Sequence, residues 1–131
     1  GIFTQLQNGL GAGSVLNQDL TLNTAANPAA HGSIVSVYAT GEGQTNPGGC
    51  DGLIASGSTL PKPLLNVTAT VGGVPAVVQY AGAAPTLVAG VLQVNVTIPD
   101  SAPSGNAVLV IQVGTKGGTT SSQPGVTVAI R

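Results

Sequence analysis

Very few side chains in this sequence can do chemistry. His31, Cys50, the carboxylates Asp19, Glu42, Asp51 and Asp100, and the cations Lys62, Lys116 and Arg131 are the complete set among 131 residues. Any Ser-His-Asp relay would have to pass through His31. That residue sits between Ala30 and Gly32, where a strand is expected to begin, and it reads as an exposed turn histidine. Zinc needs three or four His, Cys or carboxylate ligands, and one His with one Cys falls short. Calcium could draw on Asp19, Glu42 or Asp51 with backbone carbonyls, but no Asp-x-Asp spacing accompanies them. Glycoside hydrolysis requires two acids held close together, and Phe3, Tyr38 and Tyr80 are the only aromatics available as a sugar platform. Residues 40–45 are Gly-rich and follow an apolar run, yet no Lys follows the glycines and no helical pattern starts there. They read as a turn and not as a phosphate cradle. The sequence therefore predicts a protein that is not an enzyme, with no catalytic residue, no metal ligand and no cofactor.

The same scarcity of charge limits the partners. Charged residues make up 5% of the chain, against about 25% in an average soluble domain. With a formal charge of −1, three scattered cations cannot neutralise a row of phosphates, which argues against nucleic acid. Anionic membrane surfaces are disfavoured on the same ground, and no apolar run approaches the ~20 residues needed for membrane insertion. Net charge normally keeps copies of a protein apart, and here there is almost none. A surface of Thr, Ser, Asn, Gly and Gln suggests a secreted, extracellular protein. The start at Gly1 suggests a processed product or a piece of a larger precursor. Cys50, the only cysteine, has no internal partner, which leaves a free thiol or an intermolecular bridge.

The elements that must position these residues are strands. Period-two alternation dominates: Leu65, Val67, Ala69 and Val71 against Asn66, Thr68 and Thr70; Leu92, Val94, Val96 and Ile98 against Gln93, Asn95 and Thr97; and Val126, Val128 and Ile130 at the C-terminus. Residues 34–39 and 107–113 are more continuously apolar and suit central strands covered on both sides. Gly72-Gly73 predicts a tight hairpin, since consecutive glycines take positive φ at no steric cost. Residues 74–80 would be the returning strand, with Pro75 tolerated near an edge. Lys116-Gly117-Gly118 opens the last connection. Residues 41–63, rich in Gly and Pro without periodicity, read as a long loop region, and residues 1–17 as an extended arm or a first strand. Asn23 and Asn27 are expected to bond neighbouring backbone in turns. Asn66-Val67-Thr68 and Asn95-Val96-Thr97 match the glycosylation sequon on predicted strands, where chance is the simpler explanation. With no amphipathic helical window, residues 1–131 predict one all-β domain: an immunoglobulin-like β-sandwich of about seven to nine short strands with an aliphatic core and no substantial helix.

A series of short motifs runs through this frame. It includes Gly1-Ile2-Phe3-Thr4, Val15-Leu16-Asn17-Gln18-Asp19, Asn27-Pro28-Ala29, Gly32-Ser33-Ile34-Val35 and Tyr38-Ala39-Thr40-Gly41-Glu42-Gly43. Farther on come Gly72-Gly73-Val74-Pro75-Ala76, Tyr80-Ala81-Gly82-Ala83-Ala84-Pro85, Leu92-Gln93-Val94-Asn95-Val96-Thr97-Ile98-Pro99 and Ser122-Gln123-Pro124-Gly125-Val126. In that order they resemble the uncharacterised Solibacter-type C-terminal domain of acidobacterial secreted proteins, over nearly the whole chain. The resemblance implies an extracellular β module at the end of large exported proteins, with no assigned activity and no catalytic residue. It also implies that the His31 position is often Arg, which does not suit a catalytic base. Cys50 falls in that family's variable loop.

Two functions are expected from this reading. The first is a structural subunit that assembles with copies of itself into an extracellular filament or surface polymer through strand or edge contacts, because few Lys residues guard its sheet edges. The second is an adhesion or anchoring module that binds glycan, cell wall or other cell-surface proteins through the loops at one end, chiefly residues 41–63.

Overall fold

Alternation along the sequence becomes, strand by strand, one dry face and one wet face. The structure is a computed structural model and describes residues 1–50, 52–115 and 118–131; Asp51 and the expected opening of the last connection at Lys116-Gly117 lie outside the described residues. The described residues form twelve strands and no helix. The first sheet holds β1 (Gly11–Ala12), β12 (Val126–Ile130), β10 (Gly105–Thr115), β6 (Asn66–Val71) and β7 (Val74–Ala76) in that order, with β11 (Gly118–Ser121) paired to the far half of β10. The second sheet orders β2 (Val15–Leu16), β3 (Ile34–Ala39), β9 (Leu92–Thr97) and β8 (Val78–Ala83). A small third pair joins β4 (Thr45–Asn46) to β5 (Lys62–Pro63).

One continuous aliphatic core unites the two main sheets. Val35 and Val37 from β3, Val94 and Val96 from β9, Leu109 from β10 and Val126 from β12 are all fully buried. Burying a side chain of this size contributes about 1.5–3 kcal/mol. The strand count exceeds the expected seven to nine because β1, β2, β4, β5 and β11 are pairings of two to four residues in Gly- or Pro-punctuated segments. Alternation cannot be read over so short a span.

Two further expectations need correction. Residues 34–39 and 107–113 do form central strands, but each has only one fully buried face: Tyr38 is half-buried and Val108 is 46% exposed. In a two-layer arrangement every sheet keeps a solvent face, so double coverage is unavailable. The run 74–80 is not one returning strand. Its first three residues return in the first sheet as β7, and the chain crosses at Val77 to begin β8 in the second. The hairpin at Gly72-Gly73 is formed as expected, with Val71 opposite Val74 and φ values of 59° and 81°, the conformation of a primed two-residue turn.

Asn23 does not bond neighbouring backbone in a turn; its side chain acts at longer range. Its Nδ2 donates to the Ala129 carbonyl at 2.9 Å and to Asn17 Oδ1 at 2.9 Å, while its Oδ1 accepts the Ala129 N–H at 2.8 Å. The carboxamide thus substitutes for a strand residue along the outer edge of β12. On either side of it, β1 pairs in parallel with Val126–Thr127, and Ala29 bridges Ile130. Asn27, by contrast, bonds locally to Thr21 and to the Leu22 carbonyl.

Residues 1–17 fold onto their own sandwich: Ile2 bridges Ala39 and is buried, Val15 is fully buried, and the Gln123 side chain clasps both the N–H and the carbonyl of Ile2. Replacing Asn23 with Ala leaves the Ala129 N–H and part of its carbonyl capacity unmet. The expected loss is about 2–4 kcal/mol of unfolding free energy, read by urea denaturation followed by circular dichroism. Asn27→Ala, on an exposed turn, should cost under about 1 kcal/mol.

Candidate functional site

The residues singled out for their chemistry are dispersed. His31 is half-buried and not the exposed turn residue expected: its Nε2–H donates to the Ala102 carbonyl at 2.8 Å, which sets the tautomer and holds the ring as a strut between two loops. Asp19 is an Asx-turn acceptor, bonded to the Thr21 hydroxyl at 2.6 Å and the Thr21 N–H at 3.1 Å; these bonds hold its carboxyl below the ordinary carboxylate value. Cys50 is an exposed free thiol, and Asp51 lies outside the described residues. No group of three or more His, Cys, Asp or Glu able to hold a metal occurs among the described residues. Of the sequon residues, Asn66 is exposed at the start of β6, whereas Asn95 Oδ1 accepts from Ser36 and Gln93 in a ladder across the second sheet. Phe3 and Tyr38 share one surface hollow beside Gln5 and Gln7; Tyr80 stands elsewhere.

Two features remain that can engage a partner. The first is an open edge. β7 covers only Ala69–Val71 of β6, so Asn66, Val67 and Thr68 extend past it without a strand partner on that side among the described residues. β8 is the outermost strand of the second sheet. Between these two edges runs a groove of about 490 Å³, bordered by Leu65, Asn66, Val67, Val78 and Tyr80. Val67, Val78 and Ala81 at its base pack against the core, while Leu64, Leu65 and Val77 beside it are 59%, 47% and 62% exposed.

Tyr80 walls this groove. Its hydroxyl donates to the Ala83 carbonyl at 2.8 Å, and Lys62 Nζ stands 5.8 Å from the ring centroid, in cation–π range. Burial pushes the phenol above its ordinary value. A Cβ at position 82 would stand 2.6 Å from that hydroxyl, so the Tyr-Ala-Gly spacing lets the ring lie back along its own strand. Edge guards are present around the groove: Pro75 on β7, Lys62 and Pro63 on β5, and a register shift between Val78 and Tyr80. They leave Asn66–Thr68 uncovered.

The second feature is the end-loop region, residues 41–63, expected as a long loop, whose described residues also make short pairings. β4 pairs with β5, Ile54 bridges Val88, and Ala55 and Leu53 exchange backbone hydrogen bonds with the 84–90 connection. Together these segments enclose a hollow of about 250 Å³. Its lining is chiefly apolar, with Leu53, Ile54, Ala55 and Ala89, joined by Thr45, Ser56, Thr59 and Glu42. Glu42 is only 9% exposed, and its carboxylate accepts no hydrogen bond from any described residue. No side-chain oxygen among the described residues is both sealed off and unpartnered, so this carboxylate keeps a small opening to solvent. Glycine-flanked and aperiodic, Glu42 carried no signal in the sequence beyond its charge.

Compared with family models, curated proteins and solved structures, the chain has no match in any of the three. The turn chemistry at Asp19 is directly testable by an NMR pH titration. Its carboxyl should titrate below the ordinary 3.8 and return toward it in Thr21→Val. Because the folded-state value is lowered, the associated stabilisation is present above the unfolded-state value and is lost as pH falls through the folded-state one.

Proposed function

We propose that this chain is a non-catalytic extracellular structural module, an immunoglobulin-like β-sandwich that assembles with copies of itself into a filament or surface polymer through its open edge. The observation that carries the reading is the groove between β6 and β8. An extended segment from another subunit can pair with the free side of Asn66–Thr68 and place alternate apolar side chains over Val67 and Val78. The low charge supports it, because a net of −1 offers almost no repulsion between copies. The covered edge of β12 supports it too, since it removes that edge from competition for an added strand. Head-to-tail contacts of this type propagate when the rotation between subunits does not close. The motif order that resembles the Solibacter-type domain of secreted proteins fits an exported role.

A second reading, an adhesion or anchoring module acting through its end loops, is favoured by one feature of its own, the hollow around Glu42.

The first reading is tested by sedimentation velocity across a concentration series. The wild-type chain is expected to form species larger than a monomer, and Leu65→Glu with Val77→Glu, both at exposed positions, to abolish them at an unchanged urea midpoint. A wild-type chain that stays monomeric at millimolar concentration, or assemblies that ignore both substitutions, sinks it.

A further inference from the structure

The hollow at the loop end poses a specific electrostatic problem. Carboxylates withdrawn from water are ordinarily paired or hydrogen-bonded, because desolvation of an uncompensated charge is costly. Glu42 is nine-tenths buried and has no donor among the described residues. Nothing in the turn chemistry around it requires an acid: Gly41 and Gly43 on either side, with φ of 88° and 76°, make the bend. Glu42 is one of the residues that line this hollow, together with the apolar Leu53, Ile54, Ala55 and Ala89 and the hydroxyl-bearing Thr45, Ser56 and Thr59.

We propose that this hollow is a binding site for an alkylammonium group, specifically the lysine side chain of a partner polypeptide, with Glu42 as its counter-ion. The inference rests on the second reading above, that the end loops bind. Three properties select this class. The apolar lining suits a methylene stem, which a bare metal ion lacks, and hard cations require six or more oxygen ligands where the described residues offer one carboxylate. An ammonium carries three rotatable donors, which can serve Glu42 and neighbouring hydroxyls together, whereas a guanidinium presents a rigid planar fork. At about 250 Å³ the hollow is below the usual 300–1,000 Å³ of drug-sized ligand sites, which fits one side chain and excludes a large ligand.

The test is a titration of the whole chain with Nα-acetyl-lysine methylamide, followed by amide chemical shifts. Shifts are expected in residues 42–56 and 83–90. Glu42→Gln should weaken binding by about tenfold or more while the remaining spectrum stays dispersed as in the wild type. The Nε-acetylated probe, which has the same stem without the charge, should not bind, and Ala89→Leu, which fills the hollow but keeps the carboxylate, should also abolish the shifts. Equal affinity in Glu42→Gln, or shifts located elsewhere, overturns the proposal. The same shifts produced by calcium chloride alone overturn it in favour of a metal site. Silence with the lysine probe but loop shifts with soluble oligosaccharides overturns the lysine assignment and leaves the end-loop reading standing. Silence with every probe overturns both.

Discussion

The constraint on which the rest of this molecule depends is the interdigitation of short aliphatic side chains between two sheets. Val35, Val37, Val94, Val96, Leu109, Val126 and Val128 come from four strands far apart in sequence, and each is buried only because the opposite sheet is present. No aromatic ring or disulfide shares the work; Cys50 is free and the three aromatics lie outside the buried core. Such a core is uniform in chemistry and has to gain its specificity from shape, since β-branched side chains have few rotamers and pack in few ways on a pleated surface. Removing either sheet would expose the whole inner face of the other. The domain is therefore cooperative by construction.

Aliphatic packing does not by itself decide where a sheet stops, and polar groups perform that task here. The last strand would present a free edge were it not covered in three pieces: the backbone of β1, the carboxamide of Asn23 and the backbone of Ala29. Gln123 clasps Ile2 in the same manner from the segment preceding β12. Both side chains imitate a peptide group, donating and accepting at once, and both tie the N-terminal segment to the C-terminal part of the chain. The outer edge of β12 is thereby covered with almost no regular strand pairing.

At the edges of β6 and β8 the cover is incomplete, and the same economy of structure explains it. Pro75 follows a primed glycine turn, β7 lasts three residues, and the chain crosses between sheets at Val77. That crossing leaves β6 and β8 as neighbouring edges in different sheets, with an apolar groove between them in place of a strand. The loop end is assembled by a different principle. Short backbone bridges between residues 53–55 and the 84–90 connection hold a cavity open over Glu42, a residue with no structural partner among those described.

Residues 66–71, 92–97 and 126–130 were legible as strands because alternation over five or six residues is a local property that survives without knowledge of the neighbours. So were the Gly72-Gly73 turn and the all-β, aliphatic character of the chain. The two-residue strands were not legible, nor was the division of residues 74–80 between two sheets, because neither leaves a periodic trace. Asn23 looked like a turn residue, as its short-range pattern warrants; its bond to Ala129 spans 106 positions. Glu42 looked like one of a few scattered acids until the fold enclosed it. What the chain carries locally, then, is which residues face a dry interior and where the backbone must bend. Which edges remain open and which acidic residue is mostly enclosed were decided only in three dimensions, since both depend on groups brought together from distant positions by the packing of one sheet on the other.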